Sequence, residues 1–182
     1  MPIRFNLKQL KDDHQCDVYF ETGFCRGESA KNALKCDFSK VYSVEIVQQF
    51  VLAGRRNIKD NRLTIIHDDS SNLDKYLSDI NQKVLFFLDA HVDNKLSKTH
   101  KFKCPLVSEI EAISKMTRKD HVILIDDVRI LKRKTPWGET TFKTDNILEE
   151  LKEHILKINK NYKFKFLDGH VKDDVLCAFI SA

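Results

Sequence analysis

The stretch VYFETGFCRGESAKNAL, residues 18–34, decides how this chain is read. A short apolar run (Val18, Tyr19, Phe20) meets an acid at Glu21; Gly23, Gly27 and Ser29 follow, and then residues that suit a helix. That order predicts a strand, a tight glycine turn and a helix start. Such a turn lets a ligand approach the backbone closely and sets helix N–H groups beside it. The next apolar run, Val41 to Val44, ends in a second acid, Glu45, 24 residues after the first. Two acids at the carboxyl ends of neighbouring strands make a pocket for a nucleoside, the second placed to accept hydrogen bonds from ribose hydroxyls.

Outward from this stretch, short β runs alternate with helical segments. Strands are expected at 17–20, 40–44, 63–67, 84–88, 121–125, 163–167 and 175–181, and helices at 28–35, 46–58, 71–80, 105–116 and 145–159. Pro105 suits a first helical turn, Leu106, Ile110 and Ile113 share one face, and Asp145 is a candidate N-cap. Runs such as VLFFL (84–88) and VILI (122–125) fit strands buried on both sides. The alternation predicts an α/β, Rossmann-like, doubly wound sheet of seven strands, mostly parallel. No helix separates the last two strands, and Asp168-Gly169 is a turn signal, so they are expected to form a C-terminal antiparallel hairpin.

The bulk numbers agree. A chain of 182 residues is expected to form a single domain with a sizeable core. Its 42% hydrophobic and 32% charged content is ordinary for a globular protein. No apolar run reaches membrane-span length, and the first residues lack the apolar centre of a signal peptide, so a cytoplasmic protein is expected. The five cysteines form no C-x-x-C pair and read as free thiols. A net charge of +4 permits an anionic ligand without pointing to nucleic acid.

Ligands of open α/β sheets bind beyond the carboxyl ends of the strands. Here five successive strand ends carry polar or acidic residues: Glu21, Glu45, His67 to Ser70, Asp89 to His91, and Asp126-Asp127. A structural acid has no reason to choose that end each time. Asp89, Asp126 and Asp127, at the ends of adjacent strands, can converge. Like charges so close need a cation, and hard oxygen ligands suit Mg²⁺. His91, two residues after Asp89, is the general-base candidate, because its unperturbed pKa lies near neutrality. Loops 91–103 and 128–144 are long enough to close over a substrate; the second holds the only tryptophan, Trp137, near Arg129, Lys132 and Arg133.

The set ETGFCRGESA, YSVEI, IHDDSSNL, FFLDAH and ILIDDVR resembles the class I S-adenosylmethionine-dependent methyltransferases, in particular small methyltransferase-like proteins and, more distantly, the macrocin-type sugar O-methyltransferases. The resemblance implies that Glu21 anchors the first motif and that Gly23 and Gly27 let the methionine part of S-adenosylmethionine lie against the turn. It implies that Ser29 stands near the cofactor carboxylate, Glu45 grips the ribose, and Asp69 with Ser70 meets the adenine edge. It places Asp89, with a catalytic role beside His91, next to the methyl sulfonium, and it implies Mg²⁺ at the three aspartates. Cys25 stands where the family commonly has a glycine, and Asp68 where relatives often have one. The implied reaction is O-methylation of a small hydroxylated acceptor such as a sugar. Two other readings stay open: a non-catalytic nucleoside-binding module, and a nicotinamide-dependent oxidoreductase, to which the missing close G-x-G pair is ill suited. A membrane partner is not expected, nucleic acid is disfavoured because Leu88 to His91 replaces the N/D-P-P-Y type of motif, and self-association is left open.

Overall fold

A computed structural model describes residues 3–90, 104–131, 142 and 146–181. In chain order the elements are α1 (Leu7–His14), β1 (Val18–Thr22), α2 (Glu28–Lys35), β2 (Lys40–Glu45), α3 (Gln48–Asn57), β3 (Leu63–His67), a 3₁₀ turn (Ser70–Asn72), α4 (Asp74–Leu77), β4 (Val84–Leu88), α5 (Leu106–Lys115), β5 (Val122–Ile125), α6 (Val128–Leu131), α7 (Ile147–Ile158), β6 (Lys163–Leu167) and β7 (Val175–Phe179). The seven strands form one sheet in the order β3-β2-β1-β4-β5-β7-β6. β1 to β5 pair in parallel; β7 runs antiparallel to both β5 and β6.

The expected alternation therefore holds, with β7 inserted between β5 and β6. Side chains alternate across the sheet and build two cores. Phe20, Phe86, Ile123 and Leu176 pack on one face against Leu77 of α4, Leu106, Ile110 and Ile113 of α5, and Leu151 and Ile155 of α7. Tyr19, Phe87, Leu124 and Cys177 pack on the other against Leu7 and Leu10 of α1, Ala30 and Ala33 of α2, and Val51 of α3.

Four expectations change. β1 runs on to Thr22, so Glu21 lies within the strand, opposite Ser43 of β2, rather than beyond its end. The helix expected over 71–80 is instead a 3₁₀ turn followed by the single turn of α4. The cause is local: Asp69 accepts hydrogen bonds from the Ser71 N–H (2.8 Å) and hydroxyl (2.7 Å), and Asp68 accepts from the Asn72 amide (2.9 Å) and the Tyr76 hydroxyl (2.6 Å). The start of loop 128–144 is the helical turn α6; Lys132, Arg133 and Trp137 lie outside the described residues. α7 is capped by Asn146, whose side chain accepts from the Glu149 N–H, while Asp145 lies outside the described residues. α1 has no counterpart among the expected helices; Asn6 caps it, and it buries only Leu7 and Leu10.

Candidate functional site

The parallel strands bring their carboxyl ends to one rim, and the acids named from the sequence lie along it. Glu21 is the exception in depth. It is fully buried, accepts hydrogen bonds from the Ser43 hydroxyl (2.7 Å) and the Tyr19 hydroxyl (3.1 Å), and is faced by Ser29. Burial pushes its carboxyl up to about 7, against the opposing pull of those three hydroxyls. Ser29, buried at the start of α2, is thus engaged inward with Glu21.

The glycines of the turn answer to packing. Gly23 has φ +87°, and a Cβ there would meet the Asp89 carbonyl oxygen at 2.6 Å. Gly27, at φ +71°, is the N-cap of α2, and a Cβ would meet the Phe24 ring at 2.5 Å. Both positions require glycine for the chain itself, before any ligand is considered. Between them Cys25 adopts φ +48° and donates its N–H to Glu45 at 2.7 Å.

Glu45, at the end of β2, is nearly buried. One carboxylate oxygen accepts from Cys25 and the other from the Val47 N–H at 2.8 Å. Each carboxylate oxygen has room for a second donor. Among the described residues the group is therefore held in place with one lone pair per oxygen left over, which fits a vicinal diol. Asp69 caps the 3₁₀ turn, and Ser70, the first residue of that turn, is buried. Asp68, where relatives often have glycine, is held down to about 2, chiefly by the Tyr76 hydroxyl, and works as a turn clamp.

At the ends of β4 and β5 lie the aspartates. The Asp89 N–H donates to the Thr22 carbonyl (3.2 Å) and hydroxyl (3.3 Å). Burial, then the charges of Asp126, Asp127 and Glu21, push the Asp89 carboxyl well above the usual range. Burial pushes Asp126 up to about 6, opposed by a hydrogen bond from the Asp127 N–H and reinforced by the charges of Asp127 and Asp174. Carboxylate oxygens of Asp126, Asp127 and Asp174 all come within 4.8 Å of one another. The tight trio is thus completed by Asp174, just before β7, and not by Asp89 as expected.

Arg129 of α6 enters the same cluster. Its guanidinium lies 2.7 Å from Asp127 and pairs with Asp174, which also accepts the Arg129 N–H at 2.9 Å. The Asp127 contact is an ion pair by distance, but its alignment is not that of a hydrogen bond, and Asp127 Oδ1 has no hydrogen-bond partner among the described residues. Arg129 stands in the sequence as a residue of a candidate substrate loop, whereas it belongs to α6 and joins the aspartates; Asp174, in the turn before β7 and 45 residues away, carries no signal in the sequence beyond being an acid next to the hairpin strand. His91 lies outside the described residues.

No protein-family model and no curated protein matches this chain. Solved structures do. An O-methyltransferase from Bacillus cereus in complex with SAH is 15% identical, with a TM-score of 0.66 over 96% of this chain and 79% of its own. A Staphylococcus aureus protein proposed to be a caffeoyl-CoA O-methyltransferase is 15% identical, with a TM-score of 0.65 over 99% of this chain and 86% of its own. TomG of Streptomyces achromogenes, an O-methyltransferase involved in tomaymycin synthesis and solved with SAM, is 11% identical, with a TM-score of 0.60 over 97% of this chain and 78% of its own. The sheet order, the antiparallel β7 and these matches agree: the chain has the fold of the class I S-adenosylmethionine-dependent methyltransferases.

Proposed function

We propose that the protein is an S-adenosylmethionine-dependent O-methyltransferase acting on a small hydroxylated acceptor, with a divalent cation at the rim. The observation that carries this reading is Glu45, fixed by two backbone N–H groups at the end of β2 with a lone pair left on each oxygen. A carboxylate so oriented suits the two ribose hydroxyls of the donor. The Gly23–Gly27 turn would flank the methionine part, and Asp69 and Ser70 the adenine edge. O-methyltransferases of the same fold solved with SAH or SAM support the choice of donor.

The donor set also suits a hard cation. Burial, reinforced by the charges of neighbouring carboxylates, pushes Asp126 and Asp89 up, and Asp127 Oδ1, ion-paired with Arg129, has no hydrogen-bond partner among the described residues. Asp126 and Asp127 would hold Mg²⁺ with Asp89 facing them, while Asp174 secures Arg129. A bound Mg²⁺ supplies Lewis acidity that lowers the pKa of an acceptor hydroxyl. His91 would take that proton in this reading, and the acceptor oxygen would attack the methyl carbon in line, the O–C bond forming as the C–S bond breaks and the electron pair staying on sulfur in the thioether product. Positioning and proton removal are what the chain contributes.

One observation favours the non-catalytic reading: Arg129 already neutralises part of the aspartate cluster. The same experiment decides both. Titration calorimetry should show SAH binding to the wild type and NAD failing to bind, with Mg²⁺ raising the melting temperature of the wild type but not of Asp126→Asn. Absence of SAH binding sinks the enzyme reading; SAH binding with no response to Mg²⁺ leaves a donor-binding protein without the metal step.

A further inference from the structure

One buried carboxyl beneath the rim takes no part in the proposed chemistry. Glu109, in the middle of α5, has 0% exposure, and neither of its oxygens has a hydrogen-bond partner among the described residues. The hydroxyls of Ser70 and Thr22 stand close enough to favour its charged form, short of hydrogen-bond geometry, and Asp69 opposes them. Burial outweighs the two hydroxyls and, with the charge of Asp69, pushes the carboxyl up to about 7. Cys104, also buried, is a further neighbour that feels its charge.

The location matters more than the titration. Thr22 ends β1 and receives the Asp89 N–H on its hydroxyl. Ser70 opens the 3₁₀ turn that follows β3. Glu109 thus lies between the end of β1, which leads into the turn that would flank the methionine part of the donor, and the turn after β3, which would meet its adenine edge. An unpaired acceptor in a protein interior is unfavourable, and native chains rarely keep one without a use.

We propose that Glu109 is a positioning residue for the donor: when the adenine seats, the Glu109 carboxyl joins the hydroxyls of Ser70 and Thr22 and fixes the turn after β3 against the end of β1. The proposal rests on the donor reading above. It makes the unliganded protein bear an unsatisfied group whose partners are gained on binding, so stability and affinity should move in opposite directions.

The test is SAH titration calorimetry together with thermal melting of the unliganded protein, on the wild type, Glu109→Gln, Glu109→Leu and Thr22→Val. Gln keeps an acceptor and a donor on the same stem, and Leu keeps neither. Glu109→Leu should melt no lower than the wild type yet bind SAH about tenfold more weakly, the scale of one lost buried hydrogen bond. Glu109→Gln should bind within about threefold of the wild type, and Thr22→Val should weaken binding without adding to Glu109→Leu in the double variant. If Glu109→Leu does not fold, Thr22→Val with Glu109→Gln carries the test. Unchanged affinity in Glu109→Leu, or equal losses of melting temperature and affinity in Gln and Leu alike, overturns the proposal while the donor reading stands. A wild type that binds no SAH overturns both.

Discussion

Glu21 and Glu109 are fully buried carboxyls near the end of β1, one on each face of the sheet, and burial pushes both up to about 7. Their surroundings differ. Glu21 has two hydroxyls in hydrogen-bond contact and Ser29 facing it, so it knits β1, β2 and the start of α2 together. Glu109 has hydroxyls nearby and a hydrogen bond to none. Burial alone therefore says little about what an acid does. A satisfied buried acid holds the fold, and an unsatisfied one stores an unmade interaction at the site.

The comparison breaks most directly by truncation. Glu21→Ala leaves the Tyr19 and Ser43 hydroxyls unpaired and opens a void, and should lower stability by about 3 kcal/mol in urea melts. Glu109→Leu should be no less stable than the wild type, with a gain of up to about 1 kcal/mol. Equal losses would show that the two sites are equivalent after all.

Titration sharpens the same contrast. A carboxyl held at about 7 when folded and 4.5 when unfolded binds more protons in the folded chain across that window. Its contribution to stability is present below pH 4.5 and falls as pH rises through about 7, by at most roughly 3 kcal/mol per group. Glu21→Gln and Glu109→Gln should each flatten the decline in melting temperature between pH 5 and pH 8. A variant that leaves the decline unchanged rules its residue out as a source.

The smallest effect has the opposite sign. His121 is buried, accepts the Val84 N–H on Nδ1 at 3.1 Å, and is pushed down to about 4 by burial. Its unfolded form takes a proton first, so stability is present above pH 6.5 and lost as pH falls toward about 4, by at most roughly 3 kcal/mol. His121→Phe should be slightly less stable at pH 7 and less sensitive to acid, as differential scanning calorimetry would show.

Much of this architecture was legible because it rests on local pattern. The bounds of β3, β4, β6 and α2 follow directly from apolar runs and their breakers. What escaped depends on contacts distant in sequence or on polar side chains in unexpected company. Asp69 and Asp68 look like the start of a helix at 71, but their side chains take over the donors that a helix would use. Glu109, an acid, sits three residues after Leu106 and four before Ile113, on the buried stripe of α5. The stripe was visible; that an acid belonged to it was not, because its neighbours Ser70 and Thr22 come from other strands' ends. Gly23 and Gly27 were legible as a turn, but their internal cause, the Asp89 carbonyl and the Phe24 ring, was not.

The placement of β7 between β5 and β6 has a consequence for how the chain is made. β6 emerges during synthesis before the strand that must join it to the sheet. Until residues 175–179 are out, the outer edge of β5 has no partner, and Lys163–Leu167 waits without a ladder. Vectorial assembly should therefore pause one strand short, with an open β5 edge available to chaperones or to wrong pairings, and close only when the final strand slots in.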